Sequence, residues 1–242
     1  MIDLKVKDLY PIIKPIIVKI HSANKLTPEF ANKIAYELMR DVKLVRDIHN
    51  SRAIPPFSIK NLKNNVFDLY IMIPVSETSL YFNAERLNVN IDKIEYPNVE
   101  IYNVSEISNI DLYFTSPTSF KTTNSHIPYF EPLMFWKSCI RLWSEFTNYN
   151  IDPNIGEDIA SKIYPFIMDI KIEKTFLNDK FYIEGFTGTV NLHFSKNISA
   201  ESKVLILTLL ESASCTGVGV KRAWGMGNVE YKIQERKFYN GY

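Results

Sequence analysis

The stretch FIMDIKIEKTFLNDKFYIEGFTGTVNLHF, residues 166–194, decides how this chain is read. Two runs rich in apolar and aromatic residues, 166–176 and 181–194, are joined by the turn-forming LNDK. That pattern predicts two antiparallel strands in a hairpin. Upstream, in IDLYFTSPTSFK, Asp111, Tyr113 and Thr115 alternate with Leu112 and Phe114, a half-buried strand that ends at Ser116-Pro117. Between that strand and the hairpin, residues 130–146 read as a helix with Trp136, Ile140 and Trp143 on one side. Downstream, SAESKVLILTLLESAS is a helix with Ser199 as N-cap, and NVEYKIQ closes as a strand with Val229, Tyr231 and Ile233 on one face. The order strand, helix, strand, strand, helix, strand is that of a ferredoxin-like unit.

The first half gives a looser version. Residues 12–20 read as a strand, with Pro15 near an edge or bulge. In LTPEFANKIAYELMRDV, Thr27 caps, Pro28 fits the first helical position and Glu29 suits the positive end of the dipole. Phe30, Ile34, Leu38 and Val42 form its apolar stripe, and the helix fades near Asp47 to His49. IPPFSI, from Ile54, is extended or turning. VFDLYIMIPV is a strand, SETSLYFNAERL a helix, and residues 91–104 one strand or two short ones around Pro97. One strand of this half has no clear place. The expected fold is α+β: two tandem ferredoxin-like (RRM-like) units, residues 1–108 and 109–242.

The bulk numbers agree with such a fold. The chain has 242 residues, 46% of them hydrophobic, enough for a sizeable core. A formal net charge of +1 excludes a generally basic coat, so nucleic acid would need a local patch. The two cysteines, Cys139 and Cys215, form no motif and point to a reducing compartment. Lys and Pro run through the apolar N-terminal stretch, which argues against a signal segment or membrane span. A soluble, cytoplasmic protein is expected.

Glycine is scarce, yet four of the eight fall in TGVGVKRAWGMGNVEYK, residues 216–232. Gly217 suits a helix C-cap, and Gly225 or Gly227 a turn into the last strand, but four exceed what that turn requires. A Walker loop needs a G-K-[ST] that is missing, and a dinucleotide fingerprint needs a glycine where Arg222 stands. Both also run from strand to helix, whereas this segment runs from helix to strand. Lys221 and Arg222 at its centre, Trp224 for stacking, and loop amides that can form an anion-binding nest suit an extended polyanion such as RNA.

The segment G-V-G-x-x-x-x-x-G-M-G, with Lys-Arg inside it, resembles the C-terminal glycine-rich motif of the repeat-associated (RAMP) superfamily of CRISPR proteins. The closest resemblance is to the endoribonucleases that cut CRISPR precursor RNA. FTSPTSF resembles that family's segment at the start of its second unit, EGFTGTVNLHF its second-unit hairpin strand, and IHNSRAIPPFSIKNL its histidine loop after the first helix. The resemblance implies RNA contacts at Gly217, Gly219, Lys221, Arg222, Trp224, Gly225 and Gly227. It singles out His49 as general base over His21, His126 and His193, with Tyr36, Arg52 and Lys60 in supporting roles.

RNA carries its own nucleophile, the 2′-hydroxyl, so the enzyme must take that proton, protonate the leaving 5′-oxygen and stabilise the phosphate's extra charge. Neutral imidazole, with an unperturbed pKa near 6.5, suits the first task. Arg52 stands where the family often carries Lys. Arginine stabilises charge but does not give up a proton near neutral pH, so the acid is Tyr36 or Lys60, or charge stabilisation alone drives the step. The implied products are a 2′,3′-cyclic phosphate and a 5′-hydroxyl, with no metal or other cofactor. The implied partners are CRISPR repeat RNA and other CRISPR effector subunits, with the chain a monomer or homodimer. The alternative is a non-catalytic RNA-binding subunit of an effector complex.

Overall fold

A computed structural model describes residues 12–49, 54–97, 107–152 and 154–235, without the side chains of residues 46, 48, 49 and 235. The first half forms β1 (Ile16–Ser22), α1 (Pro28–Leu38), α2 (Lys43–His49), β2 (Phe57–Lys63), β3 (Val66–Ile71), α3 (Glu77–Leu87) and β4 (Val89–Glu95). Its sheet has the antiparallel order β2-β3-β1-β4. The second half forms β5 (Ile107–Thr118), the short β6 (Phe120–Lys121) and β7 (His126–Ile127), α4 (Pro132–Thr147), α5 (Ile155–Lys162), β8 (Ile163–Asn178), β9 (Phe181–Phe194), α6 (Ala200–Thr216), a 3-10 turn (Arg222–Trp224) and β10 (Val229–Glu235). Its main sheet runs β10-β5-β9-β8. Counted from the first strand of each half, both main sheets have the order 4-1-3-2, so the expected α+β fold of two ferredoxin-like units is present. β5 begins at Ile107, so Ser108, where the sequence reading divides the chain, lies inside that strand.

Local signals placed most elements. Thr27 accepts the Phe30 amide at 3.2 Å with Pro28 behind it, and Ser199 accepts the Ser202 amide at 3.1 Å. Trp136 and Trp143, on one side of α4, are fully buried; replacing either with alanine would cost about 3–5 kcal/mol. The first long helix, however, stops at Leu38, turns through residues 39–41 and restarts as α2.

The strand without a clear place is β2, FSIKNLK. Its period is broken by a register shift between Lys60 and Lys63, where Asn61 takes φ 52°. Four consecutive residues, Phe57 to Lys60, are buried, because the second unit covers the face that Ser58 and Lys60 present. A polar residue buried by a neighbouring unit leaves no alternation to read. Of the stretch 91–104, residues up to Glu95 lie in β4, and 98–106 fall outside the described residues.

Two large cores result, and they interlock. Ala223 and Trp224 of the second unit pack in the first unit's core, while Ile13 and Met72 of the first pack in the second's.

Candidate nucleic-acid interface

α6 ends at Thr216, and Gly217, at φ 70°, turns the chain while its amide donates to the Ala213 carbonyl at 2.8 Å. The loop then folds back on itself. Val218 N–H donates to the Gly227 carbonyl at 2.8 Å, Gly227 N–H to Pro117 at 3.0 Å, Val220 N–H to Ser119 at 3.0 Å, and Gly219 N–H to Ser138 Oγ at 2.9 Å. A Cβ on Gly227 would land on the Val218 carbonyl oxygen, and one on Gly219 on the Ser119 carbonyl oxygen. Trp224, Gly225 and Met226 amides also donate within the loop. The amides of Gly217, Val218, Gly219, Val220 and Gly227 are thus spent on closing the structure rather than offered to an anion, and the glycines Gly217, Gly219 and Gly227 serve close backbone contact.

The two central cations part company. Lys221, at φ 56°, is exposed, and its ammonium sits 5.1 Å from the Trp224 ring centre and 5.9 Å from that of Phe181. Arg222, expected on phosphate, is only 5% exposed. Its Nη1 donates to the Thr216 carbonyl at 2.7 Å and its Nη2 to that of Pro55 at 3.5 Å. Burial first, and then Arg141, pull its pKa down to about 9, which leaves it charged at neutral pH.

Lys60 belongs with Arg222. Its ammonium donates to the Ser214 carbonyl and lies 4.7 Å from the Tyr70 ring centre, while Ser58 Oγ donates to the Cys215 carbonyl at 2.8 Å. The last carbonyls of a helix carry its negative end and need partners. Here Ser58 and Lys60 from β2 supply them across the unit boundary, and Arg222 supplies one from within the second unit while reaching Pro55 of the first. Desolvation lowers the Lys60 pKa against the opposing charges of Cys215, Glu230, Asp68 and Glu211. Lys60 thus fastens the two units together, a placement that does not suit the proton donor considered from sequence.

A cleft of about 460 Å³ opens between the units. α1 contributes Asn32 and Tyr36, the β6–β7 hairpin Lys121 and His126, α4 Lys137 and Arg141, and the glycine loop Lys221, Arg222 and Trp224. Among the described residues the lining has several cations and no Asp or Glu. Tyr36 is half-buried and packs edge-on against Phe57, ring centres 5.0 Å apart. Desolvation raises its pKa, which keeps the phenol protonated at neutral pH. Sequence reasoning missed Lys121, Lys137 and Arg141. The i,i+4 spacing of Lys137 and Arg141 on α4 was the available signal, although Lys137 also meets Glu157 at 2.9 Å.

His49 ends α2, and its side chain lies outside the described residues, as does all of Arg52. The chain re-enters the described structure at Ile54 and Pro55, which line the cleft. His21 pairs with Asn65 at 2.6 Å, and His193 stacks on Phe166 with ring centres 4.4 Å apart. Among the described residues, no three His, Cys, Asp or Glu side chains gather at metal-binding distance, and no helix is long and apolar enough to cross a membrane.

Residues 112–229, just under half the chain, match the family described as CRISPR-associated endoribonuclease Cas6. No curated protein matches it by sequence. Among solved structures, a Cas6 product complex superposes with TM-score 0.69 at 17% identity, over 90% of this chain and 99% of that one. Thermus thermophilus Cas6 gives 0.65 at 16%, over 90% and 98%. A chain of a Cas6–RT–Cas1–Cas2 complex gives 0.57 at 15%, over 96% of this chain and 30% of that one. The resemblance read from the glycine segment is thus supported by two comparisons: the chain is similar to the CRISPR-associated endoribonuclease Cas6 in sequence through its second unit, and in fold along nearly its whole length.

Proposed function

We propose that this protein is an endoribonuclease that binds CRISPR repeat RNA in the cleft between its units and cuts the precursor without a metal. The observation that carries the reading is the cleft itself: a lining that, among the described residues, is basic and free of carboxylates, with a protonated phenol on one wall and Ile54 and Pro55 on another. From His49 to Ile54 is five residues, at most about 18 Å of extended chain, so the His49 backbone lies within reach of the cleft.

His49 takes the proton of the 2′-hydroxyl. That oxygen attacks the adjacent phosphorus, the bond to the 5′-oxygen breaks, and the leaving oxygen receives a proton from Tyr36. Arg52 and Lys221 neutralise the charge that builds on the phosphoryl oxygens. The products are a 2′,3′-cyclic phosphate and a 5′-hydroxyl. Trp224 offers a ring for base stacking beside Lys221. Arg222, Gly217, Gly219, Gly225 and Gly227 act on RNA indirectly, by holding Lys221 and Trp224 at the cleft. The solved complex that joins Cas6 to Cas1 and Cas2 supports the further reading that this chain works beside other CRISPR proteins.

The test is incubation of the protein with repeat RNA in EDTA, followed by end-group analysis. A single cut with a cyclic phosphate end is expected. His49→Ala should abolish the cut with RNA affinity unchanged, and Tyr36→Phe should slow it about 100-fold. Binding without cleavage by the unaltered protein would favour the non-catalytic subunit instead, and cleavage by His49→Ala at full rate would remove His49 as base.

A further inference from the structure

A second cavity, of about 660 Å³, opens on the side of α4 away from Trp136 and Trp143. Lys137, Ile140, Arg141, Ser144, Glu145 and Asn148 line it, at the i, i+3, i+4 spacing of one helix face. Asn148, at φ 55°, then turns the chain back, so that Asn150 and Ile151 face that stripe. Lys137 and Arg141 line the cleft as well, so the two hollows share a basic rim.

The lining tells what the cavity takes. Its size is that of a small-molecule site, ample for one nucleobase and its ribose. Glu145 is exposed and stands one turn from Arg141, yet among the described residues the two form no ion pair. An i,i+4 pair left open keeps both groups available to a ligand. The carboxylate repels phosphate, while the cations of the rim attract it, so the cavity suits the uncharged end of a nucleotide whose phosphates stay outside. Ser144 Oγ is shielded from solvent and has no hydrogen-bond partner among the described residues, a second polar group awaiting one.

We propose that this cavity is a subsite for one unpaired guanine of the bound RNA, with Lys137 and Arg141 on the flanking phosphates; the proposal rests on the RNA-binding reading above. Guanine alone carries two adjacent donors on its Watson–Crick edge, N1–H and the N2 amino group, which match the two oxygens of a carboxylate. Adenine and cytosine set an acceptor beside their one donor group, and uracil sets a carbonyl on each side of its N3–H, so each turns a lone pair toward Glu145. The guanine O6 is left for the side-chain amide of Asn148 or Asn150, and the ring lies against Ile140 and Ile151. A base-paired guanine hides this edge, so the subsite reads a single-stranded nucleotide beside the cleft.

Fluorescence anisotropy of the full chain with oligouridines of about eight nucleotides, carrying one central guanosine, inosine, adenosine or cytidine, tests the proposal. The guanosine oligomer should bind about tenfold more tightly than the adenosine or cytidine one, with inosine, which lacks the N2 amino group, between them. Glu145→Gln should level the series without altering the melting temperature, whereas Lys221→Ala, in the cleft, should weaken every member alike. A series without guanine preference overturns the proposal, as does a preference that survives Glu145→Gln. Binding of repeat RNA but not of the guanosine oligomer overturns it too. A guanine preference lost in Glu145→Gln, in a protein that does not cut repeat RNA, would remove the nuclease reading and leave the subsite standing. Failure to bind either the oligomers or repeat RNA would remove both.

Discussion

The glycine loop has two sides, and adjacent residues belong to different ones. Lys221 faces the cleft, exposed and resting over Trp224. Arg222 turns inward, where with Ser58 and Lys60 it satisfies the last carbonyls of α6 and draws the two units together. The difference shows how a local basic pair in a nearly neutral chain can do two jobs. One cation stays in water, where it is available to a polyanion. The other stabilises the framework that holds the first one in position.

The largest expected effect breaks that framework. Gly227→Ala places a methyl group on the Val218 carbonyl oxygen in a left-handed conformation, and should cost more than about 3 kcal/mol in urea unfolding. Gly225→Ala is the control: it has the same sign of φ, but its nearest neighbour, Leu62 Cδ2, is 3.7 Å away, so the cost should be only about 1–2 kcal/mol. Equal losses at both positions would mean that close contact is not what the glycines provide.

Next come the inward cations. Arg222→Met strips the Thr216 carbonyl of a buried partner and should cost about 1–3 kcal/mol, and Lys60→Met should do the same through Ser214. If both variants keep wild-type stability while RNA affinity falls, the assignment of an inner side is wrong. The smallest effect on stability belongs to Lys221→Ala, within about 0.5 kcal/mol of wild type. Its signature is electrostatic: the slope of log affinity against log salt for repeat RNA should fall by about one unit, which filter binding at several salt concentrations would read.

Much of this was legible in the sequence, for identifiable reasons. The second unit declared itself because its hairpin is long and its turn unambiguous, with β8 and β9 running 16 and 14 residues. The corresponding hairpin of the first unit, β2–β3, has strands of 7 and 6 residues, and its first strand is buried on both faces. Ser58 and Lys60 are polar because they meet helix carbonyls of the other unit, a partner about 155 positions away that no local pattern encodes. Burial between the units also hid the fate of Arg222, whose second partner, Pro55, lies 167 positions away. As a letter beside Lys221 it looks like half of a phosphate-binding pair, and only the tertiary fold turns it inward. The cleft was legible in part: Tyr36 and Lys221 were named from sequence, while Lys121, Lys137 and Arg141 gain meaning only once α4 and the β6–β7 hairpin are brought against α1.

The exchange of Ala223 and Met72 between the two cores has a consequence for how the molecule comes apart. Neither unit closes its own interior: each keeps a place for a side chain that the other must deliver. Two halves with separate interiors would melt in two steps and could be inherited, lost or shuffled one at a time. Here the halves are bound to a common fate. Heating should give one calorimetric transition whose van't Hoff and calorimetric enthalpies agree, and the duplicated architecture behaves as a single inheritable piece.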